Sequence, residues 1–406
     1  MKFVTRALSI CSAIVLPFTT SAKADSFTEI LRNAILDNGF LPAHQLNIPV
    51  DAAQAAVGKQ LFESTDLSLN GKMACRTCHL DEFGSADGLP NAVGVFGEGE
   101  GPERASSEGK IVPRNTLPLW GRGARGFDVF FWDGKVDFSQ DNQISQFGSE
   151  VPSEDPLVIA AHLPPVEIRE MIVEDQHIEL LKTESVADAN NLYAKVIENL
   201  NAKEPNIMSN LAKANEVQIK DLDFFNVAFA LASFIRSEFE LKNTPLHEFV
   251  FGQLELTDEE VAGGLLFYGK GKCANCHNGP HFSDLQFHAI PFPQTGFGKN
   301  GFGIDYGRFN VTFDPSDLYR FRTPPLWNVE LTAPYGHSGS MRTIEDAIEA
   351  HYDPLKFVDT QKMTSLERRE HFKRLAAVAD EFRYIGALES DEVEKVSAFL
   401  KLLTFQ

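Results

Sequence analysis

Cysteine is scarce in this chain of 406 residues, and its distribution limits what can hold the fold together. Of the five cysteines, Cys11 lies in an apolar N-terminal stretch and the other four form two close pairs far apart in the sequence. This distribution excludes the disulfide framework that stabilises small secreted domains. With 43% hydrophobic residues, the chain instead has enough apolar material for two domains, each with its own core.

Positive charge is also in short supply. The chain has 37 lysines and arginines against 57 aspartates and glutamates, which gives a formal charge of −20. An acidic surface repels phosphate backbones and anionic lipids, so the composition argues against nucleic acid and membranes as partners. It suits a basic or mixed-charge protein partner, although the same charge could serve solubility alone.

No apolar run is long enough to span a bilayer. The N-terminus has the pattern of a cleaved export signal, with Lys2 and Arg6, an apolar stretch over 7–18 and the cleavage sequence Ala22-Lys23-Ala24. Residues 1–24 are therefore predicted to be a signal peptide. Their removal takes away three cations and no acid, which leaves a charge near −23.

The two cysteine pairs share one pattern, Cys-x-x-Cys-His, and occur as Cys75-Arg76-Thr77-Cys78-His79 and Cys273-Ala274-Asn275-Cys276-His277. This pentad is the attachment sequence of a c-type haem, in which both thiols bind the haem and the histidine can reach its iron. A redox dithiol or half of a zinc site would use a similar pair, but here every pair ends in histidine. The sequence therefore predicts two covalent haems with His79 and His277 as proximal ligands, in an exported, periplasmic protein.

The pentads mark two similar units, each with a helix, a pentad and a glycine-rich loop. The fold class is predicted to be mainly α, with two cytochrome c-like domains over 25–245 and 246–406, each with long loops. Residues 25–50 show no strong pattern. Helical patterns occur at 54–62, 166–183, 186–200, 216–240, 261–268, 343–352, 365–381 and 390–403.

Together with the pentads, four further stretches carry a family resemblance: residues 131–135, 165–168, 276–280 and 331–340. In this order they resemble the bacterial di-haem cytochrome c peroxidases, including the MauG-like branch, over most of the chain. The resemblance implies that H2O2 reacts at the first haem and that the second haem relays electrons. The reductant would be a small cytochrome c or cupredoxin, or a residue on a partner protein, and the family also allows a homodimer. The alternative is a di-haem electron carrier without peroxide chemistry.

The resemblance assigns catalytic roles to three residues. Trp132 would lie between the haems, although a core aromatic is the alternative. Glu167 would face the first iron and move protons on peroxide, with its pKa raised by burial. The alternative for Glu167 is a solvated glutamate at a helix start. Gln143 would be a second residue on that face.

The chain departs from the family on the open face of the first haem. Other members carry a distal histidine soon after the first pentad, but here no histidine lies between His79 and His162. The corresponding residues are 92–96, and none of them can cap the iron in the same way. The sequence therefore predicts an open, five-coordinate iron at the first haem, as in the MauG-like branch.

The chain also departs from the family pattern at the second haem. Where other members place methionine or tyrosine, this chain offers His351 and Tyr352, which point about 100° apart if both lie on one helix. The match favours His351. Trp327 replaces an expected arginine, which removes a cation near this haem.

The resemblance also implies a Ca²⁺ ion between the domains. The Asn115 side chain and the carbonyls of Thr332 and Pro334 would hold it, and all three are hard oxygen ligands.

Overall fold

The structure is a computed structural model that describes residues 21–139, 143–173, 185–378 and 384–405, with side chains from residue 26 onward. The helices are α1 (Ser21–Asp37), α2 (Ala43–Leu46), α3 (Ala52–Glu63), α4 (Pro156–His162), α5 (Val186–Lys203), α6 (Pro205–Ala214), α7 (Phe224–Glu238), α8 (Pro245–Phe251), α9 (Asp258–Tyr268), α10 (Phe309–Thr312), α11 (Ile344–Ala350), α12 (Ser365–Val378) and α13 (Ser390–Lys401). None of the described helices is long and apolar enough to cross a membrane.

Strands are short and come in antiparallel pairs. They are β1 (Val129–Phe130) with β2 (Val136–Asp137), β3 (Phe287–His288) with β6 (Phe321–Arg322), and β4 (Phe297–Gly298) with β5 (Gly301–Phe302). Single 3-10 turns lie at Thr65–Leu67, Cys75–Thr77, Asp81–Phe83, Gly101–Ser106, Pro164–Val166, Ile219–Asp221, Cys273–Asn275, Pro315–Asp317, Val329–Leu331 and Pro354–Phe357. The predicted mainly α class is confirmed.

Five predicted helices are confirmed within a few residues at each end: those over 54–62, 186–200, 261–268, 343–352 and 390–403. The predicted helix over 216–240 begins later, at Phe224, because the Asp223 side chain accepts a hydrogen bond from Asn226 N and caps the helix there. The predicted helix over 365–381 forms as α12 up to Val378, and its last residues lie outside the described range.

Two predictions about secondary structure were wrong. Over the described part of 166–183 the chain forms a turn rather than a helix, since Glu167 follows two prolines and adopts an extended conformation. The remainder of that range lies outside the described residues. The lead-in over 25–50 was predicted to lack pattern, but most of α1 lies within it.

The two units repeat one helix crossing. In the first, α3 packs on α7, and a Cβ at Gly58 would lie 1.9 Å from the Ala230 carbonyl oxygen. In the second, α9 packs on α13, and a Cβ at Gly263 would lie 1.9 Å from the Lys395 carbonyl oxygen. Glycine is required at both places because any side chain would collide with the facing backbone. Each crossing helix, α3 and α9, then leads into a pentad.

The apolar side chains form two main cores. The first is built around α3, α4, α5 and α7, and the second around α9 and α13. Leu31 and Ile35 of α1 are fully buried in the second core, so the N-terminal helix packs against the C-terminal unit. Trp120 contacts both cores, with ring centres 5.6 Å from Phe239 and 5.0 Å from Phe405. The chain therefore crosses between the units more than once.

Candidate active site

The first pentad follows α3 and closes as a 3-10 turn at Cys75–Thr77. Cys75 and Cys78 are half-buried against the first core. The Nδ1–H of His79 donates to the Ser85 carbonyl oxygen at 2.8 Å, which leaves Nε2 with its lone pair. Burial lowers the pKa of His79 to about 4, so the ring is neutral, the form that binds a metal. These residues fit a covalently attached haem.

The second pentad has the same construction. His277 donates from Nδ1 to the Phe282 carbonyl oxygen at 3.0 Å, and burial, with the nearby His351 ring, lowers its pKa to about 4. Both cysteines and His277 line a cavity of about 220 Å³ whose other walls include Phe292 and Phe321. A mainly apolar cavity beside two thiols and a neutral imidazole fits the second haem.

His351 faces His277 across this cavity. Their ring centres are 6.4 Å apart and their planes are inclined by 72°. Two imidazole nitrogens about 2 Å on either side of one metal ion would place the ring centres about 6 Å apart, so the separation fits a shared iron. The Nδ1–H of His351 donates to Ala347 O at 2.7 Å, which fixes the ring. Tyr352, in contrast, donates its hydroxyl to Leu388 O at 3.0 Å.

Trp132 lies in the turn between β1 and β2 and forms part of the wall of the cavity beside the second pentad. It is 7% exposed, and its indole N–H donates to the Asn115 carbonyl oxygen at 2.9 Å. Its own carbonyl oxygen accepts a hydrogen bond from Arg322 N at 2.8 Å. The side chain is therefore fixed in the wall of the cavity beside the second pentad, and its place between the haems stays a prediction.

The three residues predicted for Ca²⁺ converge at the same junction. The Asn115 side-chain amide is 2.6 Å from Pro334 O and 3.4 Å from Gly336 O, and Thr332 lines the adjoining cavity. Rotation of the amide would point its oxygen at the two carbonyl oxygens. The donors are then all neutral oxygens, a set that fits Ca²⁺ with waters completing the shell.

Glu167 is paired with Lys135, whose ammonium contacts its Oε1 and also lies 4.3 Å from the centre of the Phe131 ring. Burial opposes ionisation of Glu167, but the charge of Lys135 outweighs it and lowers the pKa of the carboxyl. The expectation that burial would raise this pKa was wrong, because the sequence did not show that Lys135 would reach Glu167. The carboxylate is ionised at neutral pH and can accept a proton.

Glu170 is a second carboxyl in this region, and the sequence reasoning missed it. Burial, together with the charge of Glu167, raises its pKa to about 7, and its own charge acts on the Cys75 and Cys78 thiols. It can therefore hold a proton when Glu167 does not. The sequence does show a second glutamate three residues after Glu167, but only the structure shows that a tight turn brings the two together.

The loop predicted to lack a distal ligand is held in place by a buried arginine. Arg104 donates from Nε to Val93 O at 2.9 Å and from Nη2 to Gly94 O at 2.8 Å. Val95 N donates to Arg169 O at 2.9 Å, which fixes the loop against the turn that carries Glu170. His162, the next histidine after His79, lies in the first core, where its Nδ1–H donates to Val158 O at 2.7 Å. Gln143, the second predicted distal residue, is exposed.

The chain belongs to the di-haem cytochrome c peroxidase family, whose model matches residues 52–255. It is therefore a peroxidase-type oxidoreductase that carries two c-type haems. Among its relatives are MauG of Methylorubrum extorquens, 28% identical over 310 residues with 75% of this chain and 69% of that protein covered, and the cytochrome c551 peroxidase of Pseudomonas aeruginosa, 25% identical over 303 residues with 74% and 72% covered.

Solved structures with the same fold include a MauG-like protein associated with microbial copper homeostasis, with a TM-score of 0.62, 22% identity and 90% of this chain and 92% of that chain covered. The di-haem peroxidase BthA of Burkholderia thailandensis gives a TM-score of 0.64 at 19% identity, with 90% and 89% covered. At these identities the likeness concerns the fold.

Proposed function

We propose that this protein reduces H2O2 in the periplasm at the first haem, while the second haem and Trp132 carry electrons towards it. The observation that supports this division is the asymmetry of the two sites. His277 is faced by the ring of His351. Near the first pentad the charge of Glu170 acts on Cys75 and Cys78, and the neighbouring Glu167 is paired with Lys135. A site open to a small molecule and a site closed on both faces suit different tasks.

Reduction of H2O2 to two waters takes two electrons and two protons, so the protein must move protons within the site. A bound haem supplies the iron at which peroxide is held and through which electrons arrive. The ionised Glu167 accepts a proton from the peroxide oxygen nearer the iron, and Lys135 holds the carboxylate in place. Glu170, with a pKa of about 7, supplies a proton to the departing oxygen.

The reductant is proposed to be a residue, such as tryptophan or tyrosine, on a partner protein. His351 in place of methionine supports this, because a second imidazole lacks the thioether that raises the haem potential and so favours a relay that accepts electrons poorly from a cytochrome. A small cytochrome c or cupredoxin is the second candidate, since it is the donor in the peroxidase branch. Rapid multiple-turnover oxidation of a reduced cytochrome would favour that candidate and count against the first.

Absorption and EPR spectra of the resting protein, before and after H2O2, test the peroxidase assignment. We expect one high-spin haem whose signal is lost on adding peroxide, and one low-spin haem. Two low-spin haems that do not respond would leave a di-haem electron carrier.

Replacing the proposed general base tests its role. Glu167→Gln should slow the reaction with peroxide by about 10² to 10⁴-fold, because a general base is lost, while the resting spectrum stays unchanged. Gln143→Ala tests the other predicted distal residue, and its exposure leads us to expect a smaller effect.

Ca²⁺ is proposed at Asn115, Thr332 and Pro334, where it would tie the Trp132 segment to the C-terminal unit. Calorimetric titration of chelator-treated protein with Ca²⁺ should show one site, and Asn115→Ala should remove it. Exposed Asn243→Ala is a suitable control because it removes an amide that is distant in sequence from Asn115, Thr332 and Pro334 and that donates to Glu248 instead. Equal binding to all three proteins would contradict the assignment.

A further inference from the structure

Two buried arginines lie between the haem sites, and neither forms an ion pair with an acidic side chain in the described part of the chain. Arg122 is 4% exposed and Arg322 is 1% exposed. Arg122 donates from Nε to Pro118 O at 2.7 Å, and Arg322 from Nε to Phe131 O at 3.1 Å and from Nη1 to Thr323 O at 3.0 Å. Arg122 Nη1 and Arg322 Nη2 have no hydrogen-bond partner in the described part of the chain, and neither side chain makes an ion pair there.

Both guanidinium groups also lie close to one aromatic ring. Their central carbons lie 4.7 and 5.5 Å from the centre of the same ring, that of Phe127. Burial, and then the charge of Arg322, lowers the pKa of Arg122 well below its usual value. Burial lowers the pKa of Arg322 to about 9, although Asp284 opposes the effect. Burying two like charges without counter-ions is unfavourable, so the site lacks negative charge among the described residues.

Each arginine belongs to one haem site. Arg122 lies close enough to His79 for its charge to lower the pKa of that histidine. Arg322 lines the cavity that contains His277 and follows Phe321, another wall residue. The pair therefore reaches from the first haem site to the second, beside the segment that carries Trp132.

A third unpartnered polar atom belongs to the same cluster. His281 is 3% exposed, its ring packs edge-on against Phe127 at 5.5 Å, and its Nε2–H donates to Arg125 O at 3.0 Å. Its Nδ1 has no partner among the described residues. An acceptor nitrogen beside two guanidinium groups suits a water that bridges to a ligand.

We propose that Arg122 and Arg322 bind haem propionates, one arginine to each haem, and that this pair of cations couples the potentials of the two haems. The inference depends on the assignment of the two haem sites. Each haem carries two carboxylates, which are the anions that a guanidinium binds most specifically. The sequence predicted the loss of a cation near the second haem at Trp327, and Arg322 supplies one there. Positive charge beside a propionate favours the reduced haem, so both potentials should be raised.

Spectroelectrochemical titration of the holoprotein tests this, since the two haems should differ in spin and can be followed separately. Arg322→Gln should make the second haem about tenfold harder to reduce, a fall of 59 mV, and Arg122→Gln should do the same to the first. Arg322→Lys and Arg122→Lys keep the positive charge but lose the planar pair of N–H donors, so they should recover part of each shift in potential. Arg125→Gln is the matched control, because it removes an exposed cation from the same loop.

A second measurement does not depend on the glutamine variants folding. In resonance Raman spectra, the propionate bending bands of the wild type should differ from those of the lysine variants, each for its own haem. Unchanged bands together with unchanged potentials would overturn the proposal, as would an equal shift in the Arg125→Gln control. Because these readouts need no peroxide, a failure here would leave the peroxidase assignment to be judged by its own spectra.

Discussion

At the scale of single residues, the proposed distal side of the first haem site has two carboxyls whose environments shift their pKa values in opposite directions. Burial favours the protonated form of both, but Lys135 reaches Glu167 and keeps it ionised, while Glu170 has its pKa raised to about 7. Such a separation assigns a base and an acid within one site. It also makes the reaction sensitive to pH near neutrality.

The reaction with peroxide should therefore slow as pH rises through about 7, because Glu170 loses the proton that it supplies. At low pH the rate should fall only when the pH is below the usual pKa of a glutamate, because the pKa of Glu167 is lowered and its ionised form persists. Stopped-flow rates across pH 4 to 9 check both limbs. In Glu170→Gln the fall near pH 7 should disappear while the acid limb stays. A wild-type rate that rises through pH 7 would contradict the role.

The proposed closure of the second haem depends on His351, whose ring faces His277. Replacing it with alanine should remove one axial ligand, so the low-spin signal of the second haem should become high-spin in EPR and absorption spectra. Tyr352→Phe is the matched control, because it changes the neighbouring side chain and removes only the hydrogen bond to Leu388 O. If the tyrosine variant rather than the histidine variant loses the low-spin signal, the ligand is Tyr352.

At the scale of elements, the loop that lacks a distal histidine is packed too tightly to move freely. Arg104 holds its carbonyl oxygens, and Gly94 lies against the turn that carries Glu170. A Cβ at Gly94 would lie 1.8 Å from Arg169 O, so the close approach requires glycine. The two segments thus form one structural unit, which the proposed function places beside the open face of the first haem.

Gly94→Ala should destabilise the protein by about 3 kcal/mol or more, because backbone on both sides must shift. It should also alter the pH dependence that Glu170 provides. Denaturant unfolding followed by circular dichroism measures the first effect, and peroxide kinetics the second. Gly148→Ala is the control: its Cβ would meet no atom within 4 Å, so only its positive φ of 56° is penalised, by about 1 kcal/mol. Equal losses in the two variants would show that the packing at Gly94 is not decisive.

At the scale of the whole molecule, the formal charge of −20 sets how partners approach. Association with a basic donor or substrate protein should be accelerated at low salt and should slow by tenfold or more between 10 and 150 mM salt, as the screening length falls from about 30 to 8 Å. An acidic partner should show the opposite trend. Stopped-flow association at several salt concentrations distinguishes them. Rates that do not change with salt for either partner would mean that the charge serves solubility alone.

The division into two units near residue 245 stays a prediction. The cores show that one boundary in the sequence cannot separate the two units completely. Leu31 and Ile35 pack in the second core although they come first in the sequence. Hydrophobic periodicity found seven of the described helices, because each of them buries one face: α3, α5, α7, α9, α11, α12 and α13. The helices α2, α4, α6, α8 and α10 were not predicted. Periodicity also missed α1, and it extended the pattern after Glu167 into a helix that the structure does not have.

The sequence by itself determined the covalent chemistry of this protein. A haem attachment site needs two thiols and an imidazole at fixed local spacing, so both pentads can be recognised without any knowledge of the fold. Tertiary structure decided how those haem sites are tuned. Lys135 reaches Glu167, His351 faces His277, and Arg122 and Arg322 meet at Phe127, all across long separations in the chain. Charge and ligation act through distances of a few ångströms, and only folding brings such residues that close.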